Sequence, residues 1–304
     1  MATPQAAPAI GGGTALAGVL GDPVRHSLSP AMHNAALAAL GLDWVYLALP
    51  VAAADLAVVL EGLEAIDCRG LNVTLPHKQA AAALAQELTP LAQRLGAVNT
   101  LVRRDGGGWL GTNTDVEGFL APLRDLAARE ALVLGCGGSA RAVVAGLVEL
   151  GVNRIRVAGR DSTRLEHFVA SCADWAPGLE PLAWDSAMAD RADPLAAALA
   201  GADLVVNTSP VGMASGGDPA AAGRSPLTLE QVALLRPAAT VYDLIYTPRP
   251  TALLRLAGTR GCRTIDGLEM LVQQGAASLR LWSGRRDVPV IAMREAALAR
   301  LGPP

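Results

Sequence analysis

Ala131-Leu132-Val133-Leu134-Gly135-Cys136-Gly137-Gly138-Ser139-Ala140 is an apolar run that breaks into glycines, and residues 139–151 then follow a helical pattern. An unbroken apolar run closed by a turn fits a strand buried on both faces. The turn matches G-x-G-x-x-G/A, with Ala140 in the last place. Glycines permit the tight turn and close backbone approach to a bound group. The first N–H groups of the helix then present their positive end to it. Alone, this pattern also describes an ordinary glycine turn. After a buried strand and before a helix, it reads as a pyrophosphate cradle made by Gly135, Gly137, Gly138, Ser139 and Ala140.

The next strand pattern, 153–159, ends where such a unit selects its dinucleotide. An acid at that tip binds the free ribose 2′-hydroxyl of NAD. Here the tip is Gly159-Arg160-Asp161, with Arg164 one helical turn later. Two guanidinium groups suit a 2′-phosphate, which they grip through charge-assisted hydrogen bonds. NADP is therefore the expected cofactor. Asp161 has two readings at this point. It caps the helix that starts at Ser162, or it points into the pocket, where it would repel a phosphate and tolerate NAD.

Outward from this turn, strand and helix patterns alternate. Strands are expected at 14–20, 44–49, 69–75, 97–102, 108–112, 131–136, 153–159, 181–184, 203–207 and 240–245. Helices are expected at 30–40, 54–66, 77–88, 115–127, 139–151, 162–172, 267–284 and 289–301, with Pro122 a kink point in the fourth. Residues 1–13 read as a disordered Pro/Ala/Gly tail and 214–226 as a mobile loop. The alternation argues for an α/β fold with mostly parallel sheets.

The chain has 304 residues, enough for about two domains. It is 51% hydrophobic and 17% charged, which excludes a disordered chain. A net charge of −3 without a basic stripe argues against nucleic acid or an anionic membrane. No apolar run is long enough to span a bilayer, and the first residues lack the charged and apolar regions of a secretory signal. Cys68, Cys136, Cys172 and Cys262 are scattered, with no metal-type spacing. The expectation is a cytoplasmic, metal-free protein that acts on a small molecule.

Of the 25 basic residues, 24 are arginine, and Lys78 is the only lysine. Where arginine has replaced lysine almost everywhere, the position that keeps lysine is suspect. Arginine stays charged, whereas a lysine can exchange a proton. Lys78 lies in Gly70-Leu71-Asn72-Val73-Thr74-Leu75-Pro76-His77-Lys78, where Asn72 and Thr74 alternate with apolar residues at a strand tip. Ser27 and Ser29 precede a helix, where hydroxyls either cap it or bind a carboxylate. Asn99-Thr100 and Thr112-Asn113-Thr114-Asp115 bring further amides and a carboxylate to strand ends. Turn-forming residues explain one such cluster more easily than three in a row.

These blocks together resemble the shikimate dehydrogenase family. GDPVRHSLSPAMHN (21–34), GLNVTLPHK (70–78), GAVNTL (96–101), GTNTDVEG (111–118), GCGGSARAV (135–143), VNTSPVGM (206–213), YDLIYTP (242–248) and GLEMLVQQ (267–274) all fall in family order. The resemblance implies an N-terminal α/β substrate domain completed by the C-terminal helices, plus a Rossmann-type doubly wound NADP-binding domain. Its bounds here would be 14–118 and 267–304 for the first and 119–266 for the second, with the active site in a cleft.

The resemblance also assigns roles. Lys78 and Asp115 would be the catalytic pair. Ser27 and Ser29 would hold the substrate carboxylate, with Tyr246 near it. Asn72, Thr74, Asn99, Asp115 and Gln274 would bind the ring hydroxyls. Met213, Gly267 and Met270 would line the nicotinamide pocket, and Arg160 and Arg164 would take the 2′-phosphate. Family members often read Asn-Arg-Thr at 159–161, and Cys136 replaces a more usual alanine. The implied reaction is NADP-dependent reduction of 3-dehydroshikimate to shikimate, by a monomer or homodimer. Two alternatives stand beside it. One is a quinate/shikimate dehydrogenase that also uses NAD, against which serine rather than threonine at 29 speaks. The other is a non-catalytic NADP sensor, against which Lys78 speaks.

Overall fold

The computed structural model describes residues 10–184, 194–214 and 218–301. Most of the expected tail, and part of the loop expected at 214–226, lie outside them. The chain divides into two compact units, Met1–Thr114 with Val272–Pro303, and Asp115–Leu271.

The first unit carries β1 (Ala15–Gly21), α1 (Ser29–Ala39), β2 (Trp44–Pro50), α2 (Leu56–Ala65), β3 (Gly70–Val73), α3 (Lys78–Leu84), β4 (Glu87–Leu88), α4 (Pro90–Leu95), β5 (Thr100–Arg103) and β6 (Trp109–Thr112). Its sheet runs β2-β1-β3-β5-β6-β4. β1 pairs in parallel with β2 and β3, while β5 runs antiparallel to β3 and β6. Leu20, Leu71, Val73, Val98, Leu101 and Trp109 pack with Leu56 and Leu60 of α2 to form its core. Full burial of each such side chain contributes about 1.5–3 kcal/mol.

The second unit carries α5 (Asp115–Leu120), β7 (Glu130–Leu134), α6 (Gly138–Glu149), β8 (Arg154–Gly159), α7 (Ser162–Ala170), β9 (Leu179–Ala183), α8 (Pro194–Gly201), β10 (Leu204–Asn207), α9 (Leu229–Ala233), β11 (Thr240–Asp243), α10 (Ala252–Thr259) and β12 (Arg263–Ile265). Its sheet order is β12-β11-β10-β7-β8-β9, and every pairing is parallel. Side chains alternate across it, as period two requires. Ala131, Val133, Leu204 and Val206 pack with Phe119 of α5, Val143 of α6 and Leu165 of α7. Leu132, Leu134 and Val205 pack on the other face with Leu199 of α8, Val232 of α9 and Leu253 of α10. This is a doubly wound sheet. Two more helices close the chain, α11 (Leu268–Ser283) and α12 (Val290–Leu301).

Three expectations need correction, and α4, α8, α9, α10, β4 and β12 were not expected. The helix expected at 77–88 stops at Leu84, because Glu87 and Leu88 pair in parallel with Leu110 and Gly111 of β6. The helix expected through 127 stops at Leu120, and Pro122 sits in a tight 3-10 turn, Ala121–Leu123. The helix α4 has Thr89 as N-cap and Pro90 at its first position. Of the loop expected at 214–226, Pro219–Gly223 form a 3-10 turn capped by Asp218.

Candidate active site

In the first unit, Ser27, Ser29, Thr74 and Lys78 follow the carboxyl ends of the neighbouring parallel strands β1 and β3. Ligands of open α/β sheets bind at such ends. The two loops are joined, since Asp22 N–H donates to Leu75 C=O at 3.0 Å and Thr74 N–H to Leu20 C=O at 2.9 Å. Lys78, half-buried, is the first residue of α3. Its carbonyl accepts from Val98 N–H at 2.9 Å, which ties it to the segment that carries Asn99. His77 is buried beside it, and its Nε2 donates to Val51 C=O at 2.7 Å.

Asn72 and Asn99, both buried, are the centres of a polar network. Asn72 Oδ1 accepts from the Tyr46 hydroxyl at 2.7 Å. Asn72 Nδ2 lies 2.9 Å from Ser278 Oγ and 3.2 Å from Thr100 Oγ1. Asn99 Oδ1 accepts from Thr114 N–H at 2.8 Å and from Thr100 Oγ1 at 2.9 Å. Asn99 Nδ2 donates to Thr114 Oγ1 at 3.0 Å and reaches Gln274 Oε1 at 3.4 Å. Such a network fixes each amide in one orientation, because an unpaired buried polar group costs about 1–3 kcal/mol.

Ser29 is buried, and its side chain partly offsets the upward push that burial gives the Tyr46 pKa. Ser27 Oγ accepts from Ser29 N–H at 3.2 Å, so this hydroxyl does the local work of a helix start. Tyr46 stacks on His33, with ring centroids 4.0 Å apart. His33 Nδ1 donates to Ser29 C=O at 2.9 Å. Burial lowers its pKa to about 4, so the ring is neutral at pH 7.

Tyr46, His33 and Ser278 were not among the expected site residues, and Thr100 and Thr114 stood in the expected strand-end clusters without an assigned role. Ser278 was findable, four residues after Gln274 on the same helix face. Tyr46 was not, since in Trp44–Leu49 it looks like any core aromatic. Two other asparagines hold backbone instead. Asn34 bonds both the N–H and the C=O of Tyr46, and Asn113 Nδ2 donates to Ala97 C=O.

In the second unit, Gly135 has φ +107, and a Cβ there would meet Thr208 Oγ1 at 2.8 Å. Only glycine suits that backbone. Above Gly137 and Gly138 a Cβ would meet nothing within 4 Å. Gly137 is the N-cap of the 12-residue helix α6 and makes no side-chain hydrogen bond, so among the described residues no N-cap side chain takes its first N–H groups. The cradle therefore fits a pyrophosphate. Arg160 and Arg164 are exposed at the tip of β8 and in the first turn of α7. Asp161 resolves its two readings in favour of the cap, because its Oδ1 accepts from Arg164 N–H at 3.0 Å.

Asp115 is buried at the start of α5. Tyr246 is half-buried, and burial raises its pKa. Gly267 donates to Ile245 C=O at 3.1 Å and lies against the Leu244 carbonyl, where a Cβ would clash. Met270 packs into the core with Phe119 and Tyr242, whereas Met213 is exposed.

Residues 19–101 match the model of the shikimate dehydrogenase substrate binding domain, and residues 267–298 that of the shikimate 5'-dehydrogenase C-terminal domain. The chain is 50% identical to the shikimate dehydrogenase (NADP(+)) of Synechococcus sp. (strain JA-2-3B'a(2-13)), over 96% of this chain and 98% of that protein. The chain belongs to the shikimate dehydrogenase family. Its fold agrees with solved shikimate dehydrogenases. One, in complex with NADP+, has a TM-score of 0.86 and 32% identity over 98% of this chain and 99% of that one. Another, from Thermus thermophilus in complex with NADP(H) and shikimate, has a TM-score of 0.80 and 37% identity over 94% of this chain and 100% of that one.

Proposed function

We propose that this chain is an NADP-dependent shikimate dehydrogenase, which reduces 3-dehydroshikimate to shikimate reversibly. The observation that carries this reading is the network of Asn72, Asn99, Thr114 and Gln274, tied through Val98 to the only lysine. Many small hydrogen-bonding groups at strand ends suit a small polyhydroxylated acid. The similarity to NADP-dependent relatives over almost the whole chain supports it.

The glycine cradle, Arg160 and Arg164 would hold NADPH, which when bound would supply the hydride. Everything else falls to the chain's side chains. Lys78 Nζ gives a proton to the oxygen that gains charge and takes it back in the reverse direction. Asp115 accepts from the neighbouring hydroxyl and orients the ring. Ser27, Ser29 and Tyr246 take the carboxylate. Asn72, Thr74, Asn99 and Gln274 take the ring hydroxyls. Met213, Gly267 and Met270 would line the nicotinamide side.

The cap role of Asp161 makes it neutral to the cofactor choice, which leaves Arg160 and Arg164 to favour NADP. The test is a steady-state assay with shikimate or quinate, each with NADP or NAD. The highest kcat/KM is expected for shikimate with NADP. A higher value with NAD or with quinate would overturn the reading.

A further inference from the structure

The indole of Trp184 is buried directly after β9, packed in a core with Leu182, Leu195 and Leu199. The backbone N–H of Trp184 donates to Gly159 C=O at 2.9 Å, which fixes the residue next to the tip of β8. The Arg160 guanidinium carbon lies 5.8 Å from the indole ring centroid. A guanidinium held over an aromatic face by cation–π attraction leaves its N–H donors free for another partner. Among the described residues, no carboxylate pairs with Arg160. Arg103 provides the contrast: it lies over Trp109, but Glu64 pairs with it at 3.2 Å. The acid next to Arg160, Asp161, is bonded to Arg164 N–H instead.

We infer that Trp184 is a positioning residue for cofactor choice, a platform that holds the Arg160 guanidinium in place for the 2′-phosphate. An exposed arginine that is free to rotate loses entropy when it grips a phosphate. The buried indole removes part of that loss beforehand. This rests on the proposed reading that Arg160 binds the 2′-phosphate.

The test compares dissociation constants of adenosine 2′,5′-bisphosphate and adenosine 5′-monophosphate by calorimetry. Their ratio isolates the 2′-phosphate and needs no turnover. Trp184→Met, which keeps an apolar side chain in that core, is expected to lower the preference for the bisphosphate about two- to fivefold. Trp184→Leu is a second non-aromatic variant in case the first does not fold. Trp184→Phe keeps an aromatic face and should restore most of the preference. In an Arg160→Leu background, Trp184→Met should add nothing. Equal weakening of both ligands by Trp184→Met, or the same change of ratio without Arg160, would overturn the inference. If Arg160→Leu lowers the preference and Trp184→Met does not, the platform alone falls. If Arg160→Leu leaves the preference intact, the reading of Arg160 falls and the platform with it.

Discussion

The hydroxyl of Ser29 has no cap to make, because it belongs to the first helical residue, after the N-cap Leu28. Ser29→Ala is therefore expected to raise the KM for shikimate by roughly 10- to 150-fold, the worth of a hydrogen bond to a charged group. The measurement is KM beside the melting temperature. A loss of stability with KM unchanged would leave Ser29 a structural residue. Ser27→Ala should show both effects, since its oxygen also satisfies Ser29 N–H. Asp161→Thr should leave the ratio of NADP to NAD efficiency nearly unchanged, because threonine can also cap α7. A marked rise in NADP preference would mean that the carboxylate acts on the cofactor.

At the scale of elements, the glycine turn was legible because its chemistry is local. Gly135 needs glycine for its φ, and the buried strand before it needs only apolar residues. Gly135→Ala is expected to cost about 1–3 kcal/mol in urea unfolding, from strain and from contact with Thr208. A change below about 0.5 kcal/mol, the scatter of surface substitutions, would contradict it. Where the sequence misled, partners distant in the chain decided. Glu87 and Leu88 continue a helical pattern, but pairing with β6 pulls them into a strand. Tyr46 is a site-supporting residue only because Asn72 and Ser29, far from it in sequence, meet its hydroxyl. Asn34 and Asn113 shared the composition of the site but were taken by backbone. Nothing short of the fold separates them from Asn72 and Asn99.

Across the whole molecule, the two units carry buried titrating groups of opposite sign. Burial lowers His33 in the first unit to about 4 and raises Asp243 in the second to about 6. The folded form disfavours charged His33, so its contribution to stability is present above pH 6.5 and is lost as pH falls towards 4. Asp243 is favoured when protonated, so its contribution is present below pH 3.8 and is lost as pH rises through 6. Across roughly pH 6.5 to 4.5 each amounts to about 2 kcal/mol, and the two nearly cancel. His33→Phe should make urea stability rise, relative to the parent, as pH falls across that window. Asp243→Asn should make it fall. The same slope in both variants would contradict these assignments.

On the proposed reading, Lys78, the only lysine, moves the proton. This role is tested most directly by kcat of Lys78→Arg at saturating shikimate and NADP. Arginine keeps the charge but cannot exchange a proton near neutral pH. The expected result is a fall in kcat of at least about 100-fold, with a smaller change in the KM for shikimate. A variant that keeps a kcat near that of the parent would contradict it.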